Sequence, residues 1–286
     1  ARPFACLGHS MTTMLPTAAH TSRLSASLAW LRARSRPSVL AVNEALDFDL
    51  SVSEEGSEFS PLRRGTGSEW RGARTAVVLP GSFNPLHVAH LMLLTAAARA
   101  VPRRDSAPPP VAALSLSVHT IDKAQPSGMA LEDRAWTMCT SIASQAPSSF
   151  PAVALIASHG LYLDQASALH DAMPDLEPDG LWFAIGHDKA VQIFDARYYD
   201  DRDTALEALF ERAGLLVAPR AGATSDDIGA LTRHPDNRRF ADRVRPIALP
   251  TAVAELSSTA IRSGHAAPSD LPAPVAAMIN ARRCYD

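Results

Sequence analysis

Apolar positions fall along the chain in blocks. Short runs rich in Val, Ile, Leu and Ala occur at 38–43 (SVLAVN), 75–80 (TAVVLP), 111–118 (VAALSLSV), 151–157 (PAVALIA), 181–186 (LWFAIG), 214–218 (GLLVA) and 245–249 (RPIAL). A run that is apolar at every position predicts a strand covered on both faces, as in a parallel sheet. Helical patterns fit between these runs at 88–100, 130–145, 160–172, 203–213 and 272–283; in the second, Leu131, Ala135, Met138 and Ile142 share one face. Strands alternating with helices predict an α/β fold with a doubly wound, mostly parallel, Rossmann-like sheet. Ligands of such a fold bind beyond the carboxyl ends of its strands.

Polar stretches interrupt the pattern. Residues 51–74 (SVSEEGSEFSPLRRGTGSEWRGAR) are rich in Ser, Glu, Gly and Arg and predict a flexible insertion. PRRDSAPPP (102–110), TRHPDNRR (232–239) and SGHAAPSDLPAP (263–274) predict loops. No internal repeat is visible. At the other end, Arg2, Arg23, Arg32, Arg34 and Arg36 all precede the first acidic residue, Glu44. That bias fits a disordered or targeting-like segment over 1–21. Within SRLSASLAWLRARS, Leu24, Leu28 and Leu31 lie on one face, as in a packed helix. The expected organisation is therefore that segment followed by a single domain over 22–286.

Composition narrows the function classes. The 286 residues are 47% hydrophobic, enough for a substantial core. A net charge of −3 argues against a nucleic-acid partner, while leaving room for a local anion site. No apolar run approaches the roughly 18 residues of a membrane span. Cys6, Cys139 and Cys284 are far apart and odd in number, which disfavours a disulfide framework or a cysteine zinc site and favours a reducing compartment. Cytoplasm or nucleus is expected, with the mitochondrion as the alternative raised by the basic start. Nothing in the sequence bears on oligomeric state.

The candidate chemistry lies in VVLPGSFNPLHVAHLMLL (77–94). GSFNPLH falls where a strand gives way to a helix. Gly81 permits a tight turn and Pro85 suits a helix's first turn. Unpaired N–H groups and the positive end of the helix dipole then face the ligand crevice. His87 and His90, three apart, share a helical face next to Ser82 and Phe83. Their ring N–H groups could stabilise charge on a transferring phosphoryl group. A metal pair is the alternative, although no H-E-x-x-H pattern is present and no metal ligand is assigned. Simple helix capping by the histidines is another. Ser82 lacks the context of a nucleophile elbow. A second element, ELSSTAIRSG (255–264), sets Ser257, Ser258 and Thr259 before a helical turn and follows them with Arg262. Hydroxyls and a forked cation suit a phosphate, and an ordinary capped helix is the plain alternative.

GSFNPLHVAH resembles the G-[ST]-F-x-P-x-H-x-G-H signature of the nucleotidylyltransferase superfamily, with Ala89 where glycine is usual. LSSTAIR resembles the I-S-S-T-x-[IV]-R element of nicotinamide or nicotinate mononucleotide adenylyltransferases. FAIGHDKAVQIFDARYY (183–199), LLVAPRAG (215–222), TIDKAQPSGMALEDRAWTM (120–138) and the closing PAPVAAMINARRCY follow in that family's order. The resemblance is strongest to a fungal and eukaryotic adenylyltransferase-like branch, whose members carry a helix and a strand before the first motif. It implies transfer of the adenylyl group of MgATP to a pyridine mononucleotide, giving NAD or its acid analogue and pyrophosphate. It assigns ATP binding to Gly81, Ser82, Phe83, His87, His90, Gly186, Asp188, Arg220, Ser257, Ser258, Thr259 and Arg262. His90 and His87 are then the catalytic pair, Lys123 and Arg134 lie toward the mononucleotide, and Mg2+ arrives on ATP. Trp136, Trp182, Phe194, Tyr198 and Tyr199 are aromatic candidates for stacking on the pyridine ring, with core or surface packing as the favoured reading of each. A nucleotide-binding regulatory protein, or a member that hydrolyses ATP or transfers another nucleotidyl group, is the alternative.

Overall fold

The computed structural model describes residues 15–46, 70–102, 107–119, 128–145, 150–220, 222–249, 256–265 and 267–285. Its elements run α1 (Ala18–Arg32), β1 (Val39–Ala41), α2 (Val42–Leu46), β2 (Ala76–Gly81), α3 (Val88–Ala100), β3 (Val111–Ser117), α4 (Leu131–Gln145), β4 (Ala152–Ala157) and α5 (Tyr162–Ala172). They continue with β5 (Leu181–Gly186), α6 (His187–Phe194), α7 (Arg202–Arg212), β6 (Gly214–Ala218), α8 (Ser225–Arg233), β7 (Val244–Pro246), α9 (Ser258–Arg262) and α10 (Ala273–Arg282). Single 3-10 turns lie at 196–198, 238–243 and 268–270.

The strands form one sheet in the order β1-β4-β3-β2-β5-β6-β7, parallel throughout except for β1 against β4. From β2 the chain winds outward through β3 and β4, then crosses back to β5 and winds the other way. The order therefore reverses between neighbours β2 and β5, and ligands of doubly wound sheets bind beyond the carboxyl ends at such a switch point. All six residues of β4 are buried, while β2 and β5 are buried until their last residues, Pro80–Gly81 and Gly186.

Successive side chains of β2 feed opposite faces. Val77 and Leu79 join the layer under α1, α3, α4 and α10, with Leu24, Leu28, Leu94, Trp136 and Met278. Ala76 and Val78 join the layer under α5, α6 and α7, with Leu169, Ile193, Leu206 and Phe210. Two apolar layers around a parallel sheet are the doubly wound architecture that the uninterrupted apolar runs predict. Among the described residues no helix is long and apolar enough to cross a membrane.

Some boundaries differ from expectation. Helix α1 starts at Ala18, because the Thr17 hydroxyl accepts from the His20 N–H (3.2 Å) as an N-cap, so a boundary at 21 cuts through the helix. The run SVLAVN is strand only over 39–41; Val42, Ala45 and Leu46 are spaced for a helix and are buried as one. The 51–74 insertion ends earlier than its composition suggests. Trp70 and Ala73 are buried against the layer containing Val78, and 51–69 lie outside the described residues. Strand β7 stops at Pro246 on the sheet edge, where a missing N–H is tolerated. Helix α8, absent from the expected elements, buries only Ile228.

Candidate functional site

The turn between β2 and α3 lies at this switch point, beyond the carboxyl end of β2. A Cβ on Gly81 would stand 2.8 Å from two ring carbons of Phe83, so only glycine lets that ring fold back under the strand end. Phe83 has φ +43 and is 1% exposed, and the Asn84–Pro85 peptide is cis. Ser82 is exposed at the tip. His87 is extended (φ −140°, ψ 168°) and is the N-cap of α3, which sends the helix away from the crevice. Ala89 is buried within α3.

The two imidazoles stack, with centroids 3.6 Å apart and planes 27° apart, and the edge of Phe83 meets His90 at 5.2 Å. The His87 N–H donates to Nδ1 of His90 (3.2 Å). His90 therefore performs a capping role as well, and Nδ1, being the acceptor, leaves the proton of neutral His90 on Nε2. Burial lowers the pKa of His87 to about 3, with the positive charge of Arg220 adding to the effect. Burial also holds His90 well below its ordinary value, helped by His87 and Arg220. Both rings are neutral at physiological pH. Among the described residues neither ring nitrogen of the buried His87 has a partner. The turn thus offers neutral imidazole groups beside one guanidinium, a set that can donate to an anion without first losing a proton.

The distant element docks onto this turn. Ser257 caps α9 by accepting from the Ala260 N–H (3.1 Å). The Ser258 hydroxyl donates to the Pro85 carbonyl (2.9 Å). Arg262 donates through Nη1 to the Asn84 carbonyl (2.6 Å) and through Nη2 to the exposed Thr259 hydroxyl (3.0 Å). Arg220, just beyond β6, reaches the Leu256 carbonyl at 3.5 Å. The structure therefore brings together His87, His90, Arg220, Ser257, Ser258, Thr259 and Arg262, although Ser258 and Arg262 also tie the turn to α9.

Gly186 ends β5 and is the N-cap of α6. A Cβ there would lie 2.6 Å from Oδ1 of Asp188 and 3.3 Å from Cδ of Arg220. Glycine is what allows an exposed carboxylate and the Arg220 stem to converge. Asp188 is thus in the first turn of α6 without being its cap. It also faces Tyr162, whose phenol is pushed up by burial and then by the Asp188 charge.

On the acceptor side, Arg134 is buried in α4. Its Nε donates to the Met129 carbonyl (2.7 Å), and burial lowers its pKa. Lys123 lies outside the described residues. Three aromatic candidates are core residues. Trp136 is fully buried and stacks on His20 (4.7 Å). Trp182 donates from Nε1 to the Asp179 carbonyl, and Phe194 stacks on Phe210. Tyr199 donates to the Ile193 carbonyl, which leaves the exposed Tyr198 uncommitted. Sequence reasoning passed over Asn84 and Tyr285. Asn84 is fully buried, and its Oδ1 accepts from the Met129 N–H (3.1 Å) and from the Tyr285 hydroxyl (2.7 Å). The Asn-Pro pair signals a turn, but nothing local names its partners.

Among the described residues no three His, Cys, Asp or Glu side chains come together as a metal site. The donor set, imidazole and guanidinium, suits phosphate oxygens.

A family model described as cytidylyltransferase-like matches residues 78–264, which spans the His87–His90 turn and α9. No curated protein matches the chain in sequence. Solved structures similar to it include Plasmodium falciparum nicotinic acid mononucleotide adenylyltransferase complexed with NaAD. The identity is 15% and the TM-score 0.51, over 74% of this chain and 98% of that one. The same enzyme complexed with APC gives 14% and 0.50, over the same shares. At such identities the likeness is one of fold.

Proposed function

Because this chain belongs to the cytidylyltransferase-like family, we propose that it transfers the adenylyl group of ATP to a pyridine mononucleotide, nicotinamide or nicotinate. The observation that carries this reading is the stacked, neutral His87–His90 pair beside Arg220, joined to α9 by the Arg262–Asn84 hydrogen bond. The combination suits a nucleotide triphosphate more than a single phosphate, since donors are spread from the end of β2 to α9.

An oxygen of the mononucleotide phosphate attacks the α-phosphorus of ATP in line. The bond from that phosphorus to the oxygen bridging the β-phosphate breaks, and pyrophosphate leaves with the electron pair. No covalent enzyme intermediate is required, so catalysis is positioning and charge stabilisation. His90 donates its Nε2–H to an α-phosphate oxygen as charge develops there. His87, with two uncommitted ring nitrogens, supports the same phosphate and its neighbour. Arg220, Thr259 and the remaining N–H groups of Arg262 hold the β- and γ-phosphates, with Ser258 keeping α9 on the turn. A magnesium ion arriving with ATP would supply positive charge beside the phosphates that Arg220, Thr259 and Arg262 hold. Gly186 and Asp188 border the ribose and adenine, and Arg134 faces the acceptor.

The test is a product assay. Purified protein is incubated with MgATP and, separately, nicotinamide mononucleotide, nicotinate mononucleotide, phosphocholine or phosphopantetheine, and with CTP in place of ATP. His90→Ala serves as the control. Expected is a pyridine dinucleotide with one of the first two acceptors, lost in the control. Turnover only with phosphocholine and CTP would reassign the acceptor and base. ATP bound or hydrolysed with no dinucleotide would make the chain a nucleotide-binding or hydrolysing member of the family.

A further inference from the structure

Asn84 joins segments that the reaction must align. Its Oδ1 accepts from the Tyr285 hydroxyl and the Met129 N–H, at 2.7 and 3.1 Å. Its backbone carbonyl accepts from Arg262 at 2.6 Å. The Met129 carbonyl in turn accepts from Arg134 Nε at 2.7 Å. One fully buried residue therefore connects the turn bearing His87 and His90, the α9 guanidinium, and the segment that carries Arg134. Two donors converging on Oδ1 fix which way the amide points. One of them, Tyr285, comes from the turn after α10, 201 residues along the chain. Burial pushes this phenol up to about 12, so it stays protonated and donates throughout the physiological range.

We propose that Tyr285 is a positioning residue for the reaction: by holding the Asn84 amide, it sets the His87–His90 turn against the Arg134 segment and so aligns donor and acceptor nucleotides. The proposal rests on the adenylyl-transfer reading above. An oxygen displaced by about 1 Å from its in-line approach loses about a hundredfold in rate, whereas each nucleotide's own contacts survive. Loss of the Tyr285 hydroxyl should then act on turnover more than on binding. A tyrosine that merely anchored α10 would instead act on stability. The Arg282–Asp133 ion pair (3.4 Å), which ties α10 to α4, supplies the comparison.

The experiment compares wild type, Tyr285→Phe and Arg282→Gln. Thermal midpoint, steady-state kinetics for both substrates and imidazole 15N–1H correlation spectra of the free protein are measured. Tyr285→Phe keeps the ring and removes one oxygen, so folding is retained. Expected for Tyr285→Phe is a kcat lowered about ten- to a hundredfold, KM values within about threefold of wild type, and shifted His87 and His90 ring signals. Arg282→Gln should lower the midpoint with kcat and ring signals unchanged. Unmoved ring signals and an unchanged kcat in Tyr285→Phe would overturn the proposal. So would equal kcat losses in both variants, which would mark a structural anchor. If wild type forms no pyridine dinucleotide, the activity reading falls separately. The ring signals then decide for the turn: shifted, they uphold the clasp, and unshifted, they overturn it.

Discussion

The backbone N–H of His87 donates to Nδ1 of His90 at 3.2 Å, which puts the His90 proton on Nε2 and makes that nitrogen a donor. The capping function and the catalytic function of His90 thus sit on different nitrogens and can be separated by substitution. In His90→Asn a side-chain oxygen can still accept from His87, as the Asp227 carboxylate accepts from the Thr224 N–H at the start of α8 (2.7 Å), but no donor reaches the Nε2 position. We expect His90→Asn to keep a near-normal thermal midpoint and to lose about 10² to 10³ in kcat, the usual cost of one such donor. His90→Ala should lose as much activity and some stability besides. Wild-type turnover in His90→Asn would remove His90 from the chemistry.

Protonation of His87 gives a pH signature. In the native protein His87 takes a proton only near pH 3, against 6.5 for an unperturbed imidazole. Between those values the unfolded chain binds more protons than the folded one, so stability rises with pH, and above about 6.5 the contribution is complete. The slope from this residue is at most about 1.4 kcal/mol per pH unit. Urea denaturation from pH 4 to 8 should show it, and His87→Gln should flatten the curve below pH 6.5 without changing its shape above. An unflattened curve would mean that His87 is not buried in neutral form. Anionic oxygens of a bound ATP analogue would favour the protonated ring, so calorimetry in buffers of different ionisation enthalpy should record proton uptake that grows as the pH falls towards 4.

Much of this arrangement was legible before any coordinates, for reasons that also mark the limits. Strands β2 to β6 could be read because both faces of each are covered, leaving no polar position to break the run. The antiparallel direction of β1 could not, since Val39–Ala41 has the same apolar composition either way. Helix α6 buries Ala190, Ile193 and Phe194 on one face, but it follows β5 without a break and is only eight residues long, and α8 buries Ile228 alone. The His87–His90 turn and the Ser257–Arg262 element stand out because each packs its chemistry into a few consecutive residues. Their docking, Ser258 on Pro85 and Arg262 on Asn84, spans 173 and 178 residues, and no local pattern reports a contact of that kind. The same distance hid Tyr285. Trp136 and Phe194 prove to be core, the favoured reading of each, and composition alone could not separate that from ring binding.

Arg262 uses both ends of its guanidinium, one on Asn84 and one on Thr259. A lysine keeps the charge but cannot span two acceptors. Arg262→Lys is therefore expected to weaken binding of a non-hydrolysable ATP analogue about tenfold or more, in line with a charged hydrogen bond of roughly 1.5–3 kcal/mol. Ser258→Ala removes a neutral bond worth about 1 kcal/mol. It should lower the midpoint by about 2–4 °C and leave analogue affinity within a few-fold. If the two variants exchange these phenotypes, Ser258 holds phosphate and Arg262 only staples α9 to the turn.

Gly186 tests the other side of the crevice. Its backbone (φ −80°, ψ 158°) is open to any residue, so alanine there costs no backbone strain. Space is the issue, because the added methyl would stand 2.6 Å from Oδ1 of Asp188 and 3.3 Å from Cδ of Arg220. Asp188 is exposed and can swing aside, and Arg220 can then follow. Gly186→Ala should accordingly fold with a midpoint close to wild type while binding the ATP analogue about tenfold less tightly, through displacement of both groups at once. Asp188→Asn leaves Arg220 in place and should cost less. Calorimetric titration of the three proteins separates the cases. Undiminished binding by Gly186→Ala would show that neither Asp188 nor Arg220 contacts the nucleotide, and would confine the site to the β2–α3 turn and α9.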